Sequence, residues 1–358
     1  MTHMLIDTDV HVPIPSFEAL RPYLPGHVTD YCAFTGYLGP DDAWYPRGAA
    51  SLTRADWTDN GGVEDLRREL LDPFDITVAI LNCAYPADGV MNPDFSAAFA
   101  RAANDWLAEE WLSRDPRLRG SLIVPNDVDF AVAEIEHRAG DERFVQVIVP
   151  VRTQMPIGRR TYHPLWRAAA EHGLPVALCF GGSAPGPPTG TGFPSLYLEE
   201  YVGMAEVCQT QLMSIISGGV LDLYPSTRIV CVECGWAWLP PVTWRMDKEW
   251  KGMRREIPWV DRLPSDYVRQ HVRLTLQPID APTTDDFVKT IAQMGSDDMV
   301  LFSTDYPHAR FRAGEPPMPA DVPEALATKI RATNAIALYG ASRLGVRELT
   351  ATLEQEAS

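Results

Sequence analysis

Residues 299–308 read Met299-Val300-Leu301-Phe302-Ser303-Thr304-Asp305-Tyr306-Pro307-His308. A short apolar run stops abruptly at an acid, an aromatic, a proline and a histidine. It is too short for a helix and is bounded by turn residues. It therefore reads as a buried strand over 299–303 whose C-terminal end carries polar chemistry. The same pattern recurs upstream at 4–9, 76–83, 120–124, 144–151, 175–180, 228–233 and 272–276. Between these runs, apolar residues repeat at helical spacing. Helices are expected over 93–112, 128–138, 164–172 (closed by Gly173), 195–217, after Pro241, over 284–294 and, beyond the last strand, over 324–339. Strands that alternate with helices imply a parallel sheet, and eight such units point to a (β/α)8 TIM-like barrel.

The chain has 358 residues, longer than the ~250 typical of such a barrel. The excess falls after the first strand, at residues 12–74, where no period is visible. That stretch holds Trp44, Tyr45, Trp57 and the turn Asn60-Gly61-Gly62. It reads as an inserted lid or subdomain within one barrel domain spanning 1–358. The charged tail after Leu344 reads as a final exposed helix.

Hydrophobic residues make up 46% and charged residues 22%, a globular composition that can bury a large core. The formal net charge of −17 opposes binding to nucleic acid or an anionic bilayer. No apolar run reaches the ~18 residues of a membrane span, and the N-terminal MTHMLIDTDVHV has no signal-peptide pattern. Three of the six cysteines or more lie in apolar runs. A reduced, cytoplasmic enzyme acting on a small molecule is expected.

In a barrel of this kind the active site forms at the C-terminal ends of the strands. The strand ends offer Asp9 and His11, Asn82, Arg152, Cys179, Glu233, Gln277, and Asp305 with His308. Residues two apart in a strand face one side, so Asp9 and His11 can share a metal ion. Asp305, beside strand one in a closed barrel, can complete that site and accept a proton. No phosphate-loop or nucleophile-elbow pattern is present.

At these positions the sequence resembles the amidohydrolase-related family, in the branch similar to aminocarboxymuconate-semialdehyde decarboxylase. The resemblance spans nearly the whole chain. It rests on IDTDVHV, DPRLRGSLIVP, FVQVIVPVR, GLPVALCFGG, PPTGTGFPS, RIVCVECGWAWLPPVTWRMDKEW, HVRLTLQP and LFSTDYPH. It implies a TIM-like barrel with one divalent metal ion, zinc first and manganese second. It implies hydrolysis, non-oxidative decarboxylation or hydration, and Asp9, His11 and Asp305 as metal-binding positions. A homodimer is expected on the same ground.

Two positions depart from the family pattern. Cys179 stands where a histidine ligand is usual, and Glu233 stands where the better-known decarboxylases carry another histidine. Cys179 is a candidate zinc ligand, a nucleophile or a buried thiol. Glu233 is a candidate acid/base group, or a structural carboxylate paired with an arginine such as Arg245. Cys234, next in sequence, should point away from the barrel interior. His308 is read as polarising substrate, Arg152 as binding a substrate carboxylate, and Trp236 as lining the pocket. The leading expectation is metal-dependent hydrolysis of an amide, ester or lactone, with Asp305, Glu233 and His308 catalytic. The alternatives are a decarboxylase of an aromatic or dienoic acid, and a metal-free acid/base enzyme or binding protein on a degenerate site.

Overall fold

The computed structural model describes residues 4–40, 62–83, 85–182, 187, 189–308 and 317–347. Eight parallel strands pair in chain order: β1 Ile6–His11, β2 Val78–Asn82, β3 Leu118–Ile123, β4 Phe144–Pro150, β5 Val176–Cys179, β6 Ile229–Val232, β7 Val272–Thr275 and β8 Val300–Leu301. The ring closes through backbone bonds between β1 and the segment after β8. Thr8 N donates to Phe302 O (2.9 Å), His11 N to Tyr306 O (2.7 Å) and Asp305 N to Asp9 O (3.1 Å). Asp7 reinforces this seam by accepting from Thr304 N and from the Thr304 hydroxyl. Burial pushes the Asp7 carboxyl up to about 7.

The expected eight-strand barrel is therefore the fold. β1 begins and ends two residues later than expected, so it carries both Asp9 and His11 within the strand. The expected 93–112 helix is an α-helix over Pro93–Leu107 that continues as a wider π-turn over Ala108–Leu112. The expected 324–339 helix is likewise relaxed by a π-turn at Lys329–Thr333.

Local chemistry explains the helix limits. Asn92 accepts from the N–H groups of Asp94 and Phe95, and Pro93 holds the first helical position. Thr283 caps Thr284–Met294, which Gly295 ends in the left-handed conformation. Between strands and helices lies a continuous apolar core. Alternation in β3 shows how it is sorted. A Cβ on Gly120 would meet Leu112 Cδ1 at 2.9 Å, so position 120 faces the helices. Its neighbour Ser121 faces the barrel interior.

The insertion after β1 contributes short helices at Phe17–Leu20, Gly26–Thr35 and Val63–Leu66. Trp44, Tyr45, Trp57 and the Asn60-Gly61 part of the turn lie outside the described residues, as does the tail beyond 347.

Candidate metal centre and active site

Three carboxylates, from the ends of β1, β6 and β8, converge on one imidazole. His11 Nε2 lies 3.1 Å from Asp9 Oδ1, 3.3 Å from Asp305 Oδ1 and 3.6 Å from Glu233 Oε2. Donor atoms of Asp9, His11 and Asp305 lie within 4.8 Å of one another, as do those of Glu233, Asp305 and His308. Asp305 thus belongs to both groups. His308 Nδ1 stands 3.8 Å from Asp305 Oδ2.

Two of these carboxylates sit on unusual backbone. Glu233 has φ 56° and Asp305 φ 57°, in the left-handed region where a side chain costs about 1–3 kcal/mol. Glu233 directly follows β6 and Asp305 lies a short segment beyond β8, and each carboxylate is turned toward His11. The Glu233 amide donates to Thr275 Oγ1 at 2.9 Å, which pins that turn to β7.

The electrostatics are those of a cation site. Asp9 is wholly buried and Glu233 nearly so. Among the described residues, neither has an arginine or lysine within ion-pair distance. Burial, then the Asp305 charge, pushes the Glu233 carboxyl well above the usual range. Buried carboxylates without a cation are costly. Asp9 Oδ2 is buried and makes no hydrogen bond, while the His11 imidazole nitrogen Nε2 is faced by all three carboxylates. Oxygen donors around one imidazole fit a divalent ion.

Near this cluster lies a cavity lined by Tyr85, Ile123, Ile148, Cys179, Phe180 and Gly182 among others. Cys179 joins the two regions. It lines the cavity, and its thiol is raised well above its ordinary value by burial and then by the charges of Asp9, Glu233 and Asp305. It lies beside the ion-pair cluster, outside both groups of converging donors.

The structure thus brings together Asp9, His11, Glu233, Asp305 and His308, with Cys179 alongside. Glu233 accepts from the Tyr201 hydroxyl at 3.3 Å, a partner other than the expected Arg245. Arg152 is buried and ion-paired with Glu200 at 3.1 Å, and it is not among the cavity-lining residues. The expectation for Trp236 is corrected. It is fully buried, its indole donates to Leu276 O at 3.0 Å, and it packs edge-on against Phe287. Gly235 (φ 66°) turns the chain after Glu233, and Asp280 grips the next two amides, which carries Trp236 into the wall between strands and helices. Cys234 is buried, with its thiol directed at the carbonyls of Leu178 and Val232.

Sequence reading passed over several supporting residues. Asn82 was visible as a strand end but carried no role. Its amide donates to Asp9 Oδ1 at 2.8 Å. Ser121 and Gln146 were visible only as polar interruptions in the apolar runs LRGSLI and FVQVIVP.

Comparison with known proteins agrees with this geometry. The chain is 27% identical over 312 residues to a gamma-resorcylate decarboxylase from Rhodococcus jostii (strain RHA1), covering 78% of this chain and 88% of that one. It superposes on 2,6-dihydroxybenzoate decarboxylase complexed with 2,6-dihydroxybenzoate at TM-score 0.67 and 22% identity, covering 94% and 99% of the two chains. A dihydroxybenzoic acid decarboxylase from Polaromonas sp. JS666, solved with bound manganese and the inhibitor 2-nitroresorcinol, aligns at TM-score 0.64 and 21% identity, covering 95% and 98%. Residues 6–341 match the Amidohydro_2 family, described as Amidohydrolase. With that span matched, the chain belongs to the amidohydrolase family and is an enzyme of that superfamily.

Proposed function

We propose that the chain is a divalent-metal-dependent, non-oxidative decarboxylase of a hydroxylated aromatic acid. This reading takes precedence over hydrolysis of an amide, ester or lactone. The observation that carries it is the mostly apolar cavity whose lining residue Cys179 feels the charges of the carboxylate cluster. The activity of the curated relatives supports it. A metal-free site fits less well, because Asp9 Oδ2 then stays buried without a hydrogen bond.

Asp9, His11, Asp305 and Glu233 would hold the ion. Three carboxylates and one imidazole favour a harder ion, so manganese ranks ahead of zinc. When bound, the ion supplies positive charge that offsets the carboxylates and holds the oxygen atoms of an acidic substrate.

The chain's own residues do the rest. Ile123, Ile148 and Phe180 clasp the ring and exclude water. Asp305 delivers a proton to the ring carbon that bears the carboxyl group. The carbon–carbon bond then breaks, its electron pair returns to the ring, and CO2 leaves. His308, beside Asp305 Oδ2, orients that carboxyl and restores its proton. Arg152 remains a candidate contact for substrate only if Glu200 releases it.

Residues 12–74 are read as a lid. The Tyr37 and Tyr85 rings both pack on Phe99, which sets the front of the insertion against a cavity-lining residue. Exposed Leu196, Leu198 and Val202 on the Tyr197–Ser217 helix and the turn before it support a homodimer. Among the described residues no helix is long and apolar enough to cross a membrane.

The test is incubation of manganese-loaded enzyme with mono- and dihydroxybenzoates in D2O. Release of CO2 with one deuterium on the product ring supports the proposal. Turnover of esters, amides or lactones without CO2 release would return the assignment to hydrolysis.

A further inference from the structure

A line of polar side chains crosses the floor of the barrel and ends on Asp9. The Tyr339 hydroxyl donates to Gln146 Oε1 at 2.7 Å. Gln146 Nε2 donates to Ser121 Oγ at 2.8 Å. Ser121 Oγ donates to Asn82 Oδ1 at 2.6 Å, and Asn82 Nδ2 donates to Asp9 Oδ1 at 2.8 Å. Asp9, Asn82, Ser121 and Gln146 are wholly buried, and Tyr339 is nearly so. The members come from β1, β2, β3, β4 and the Asn334–Tyr339 helix that follows β8.

An apolar barrel interior would be the simpler way to fill this space, since each buried polar group must find a partner. Here the partners are arranged with one polarity. The Asp9 carboxylate only accepts, so Asn82 turns its amide toward it and its oxygen toward Ser121. Ser121 donates to that oxygen and accepts from the Gln146 amide, which leaves the Gln146 oxygen to accept from the Tyr339 hydroxyl. Every donor therefore points toward the carboxylate. Hydrogen bonds in such a series polarise one another, and low surrounding polarity strengthens them. The Asp9 carboxylate receives one strong donor at Oδ1, while Oδ2 stays without a hydrogen bond.

We infer that Asn82, oriented by the Tyr339–Gln146–Ser121 chain, is a positioning residue that fixes the Asp9 carboxylate for the divalent ion. This rests on the metal-dependent reading given above. It assigns a metal-tuning task to four residues that are not among those lining the cavity. Tyr339 is then coupled to the ion through three intervening side chains.

The experiment titrates chelator-stripped enzyme with Mn2+ by calorimetry, and follows Tm of the same stripped samples. Asn82→Leu is expected to weaken Mn2+ binding about 10- to 100-fold, the usual cost of losing a group that orients a ligand. Tyr339→Phe and Ser121→Ala each remove one donor and leave Asn82 in place. They are expected to weaken Mn2+ binding several-fold, and they decide the matter if Asn82→Leu does not fold. Trp166→Phe is the control. It deletes an unrelated buried bond to Ile157 O, so it should lower Tm without moving the Kd. If Tyr339→Phe and Ser121→Ala behave like that control, or a folded Asn82→Leu binds Mn2+ as the parent does, the inference is overturned. A parent enzyme that binds no divalent ion would instead overturn the metal-dependent reading beneath it.

Discussion

Glu233 and Asp305 approach the same nitrogen, His11 Nε2, from strand ends two apart in the barrel, and both do so from left-handed backbone. A third non-glycine residue with positive φ among the described residues, Asp75, lies in a loop. Strain at two of three such positions therefore coincides with the carboxylate cluster. The cost of that backbone and of the crowded charge must be met by the remainder of the fold, or by a cation.

Glu233→Gln tests the crowding. In chelated enzyme the amide removes a buried charge that faces Asp9 and Asp305, so unfolding should become harder by about 1 kcal/mol. In the same variant Mn2+ affinity should fall about 10-fold or more if Glu233 is a ligand. Denaturant melts with and without Mn2+ measure both. A variant that is less stable in both conditions would remove Glu233 from the cation site.

Cys179→Ser tests the cysteine's part. The thiol lines the cavity and lies outside the converging donors. Elemental analysis should therefore find the same metal content as in the parent enzyme, while KM for an aromatic acid changes through the altered wall. Loss of about one metal ion per chain would make Cys179 a ligand and restore zinc to first place.

Gly182 has φ 119°, and a Cβ there would lie 2.5 Å from Arg152 O. Gly182→Ala must shift the loop after β5 against the end of β4. A loss of about 2 kcal/mol in unfolding free energy is expected from the strained backbone, together with a raised KM because the residue lines the cavity. A denaturation midpoint unchanged from the parent enzyme would refute the contact.

His271 supplies a pH dependence away from the active site. It is fully buried, donates from Nδ1 to Thr227 O and is faced by Arg228, Arg262 and Arg273. Burial, then the arginine charges, lowers it to about 4. Between about pH 6.5 and 4 the unfolded chain takes up a proton that the folded protein refuses. Stability should therefore fall as pH drops through that window. His271→Asn keeps a donor toward Thr227 O and has no such proton to take. Its stability should change less steeply from pH 6.5 to 4, by on the order of 2 kcal/mol across the window. Parallel curves for the two proteins would refute this.

The barrel was legible because each of its units is local. A buried parallel strand is a short apolar run, and a surface helix is an amphipathic one. Eight alternations leave few other ways to bury both faces of the sheet. The first and last strand ends were legible for the same reason. Asp9-Val10-His11 has the spacing of one strand face, and Asp305 interrupts an apolar run where a barrel places chemistry.

Other parts depended on which segments come together. Trp236 looked like a pocket residue from its place after Glu233. It lies in the wall because Asp280, far along the chain, holds the turn that redirects it. Arg152 looked available for substrate, yet its partner Glu200 lies on a helix whose register with β4 no local pattern reveals.

What the amino-acid order determined by itself was the number and type of elements and the side chains at their ends, since periodicity, caps and turn residues act over a few positions. The tertiary structure alone decided that three carboxylates meet at one imidazole nitrogen. It also decided that Asn82, Ser121, Gln146 and Tyr339 line up behind Asp9. Those relationships depend on barrel closure and strand register, which sum many weak contacts across the whole chain. A displacement of one residue in register would send each of these side chains to the other face of the sheet.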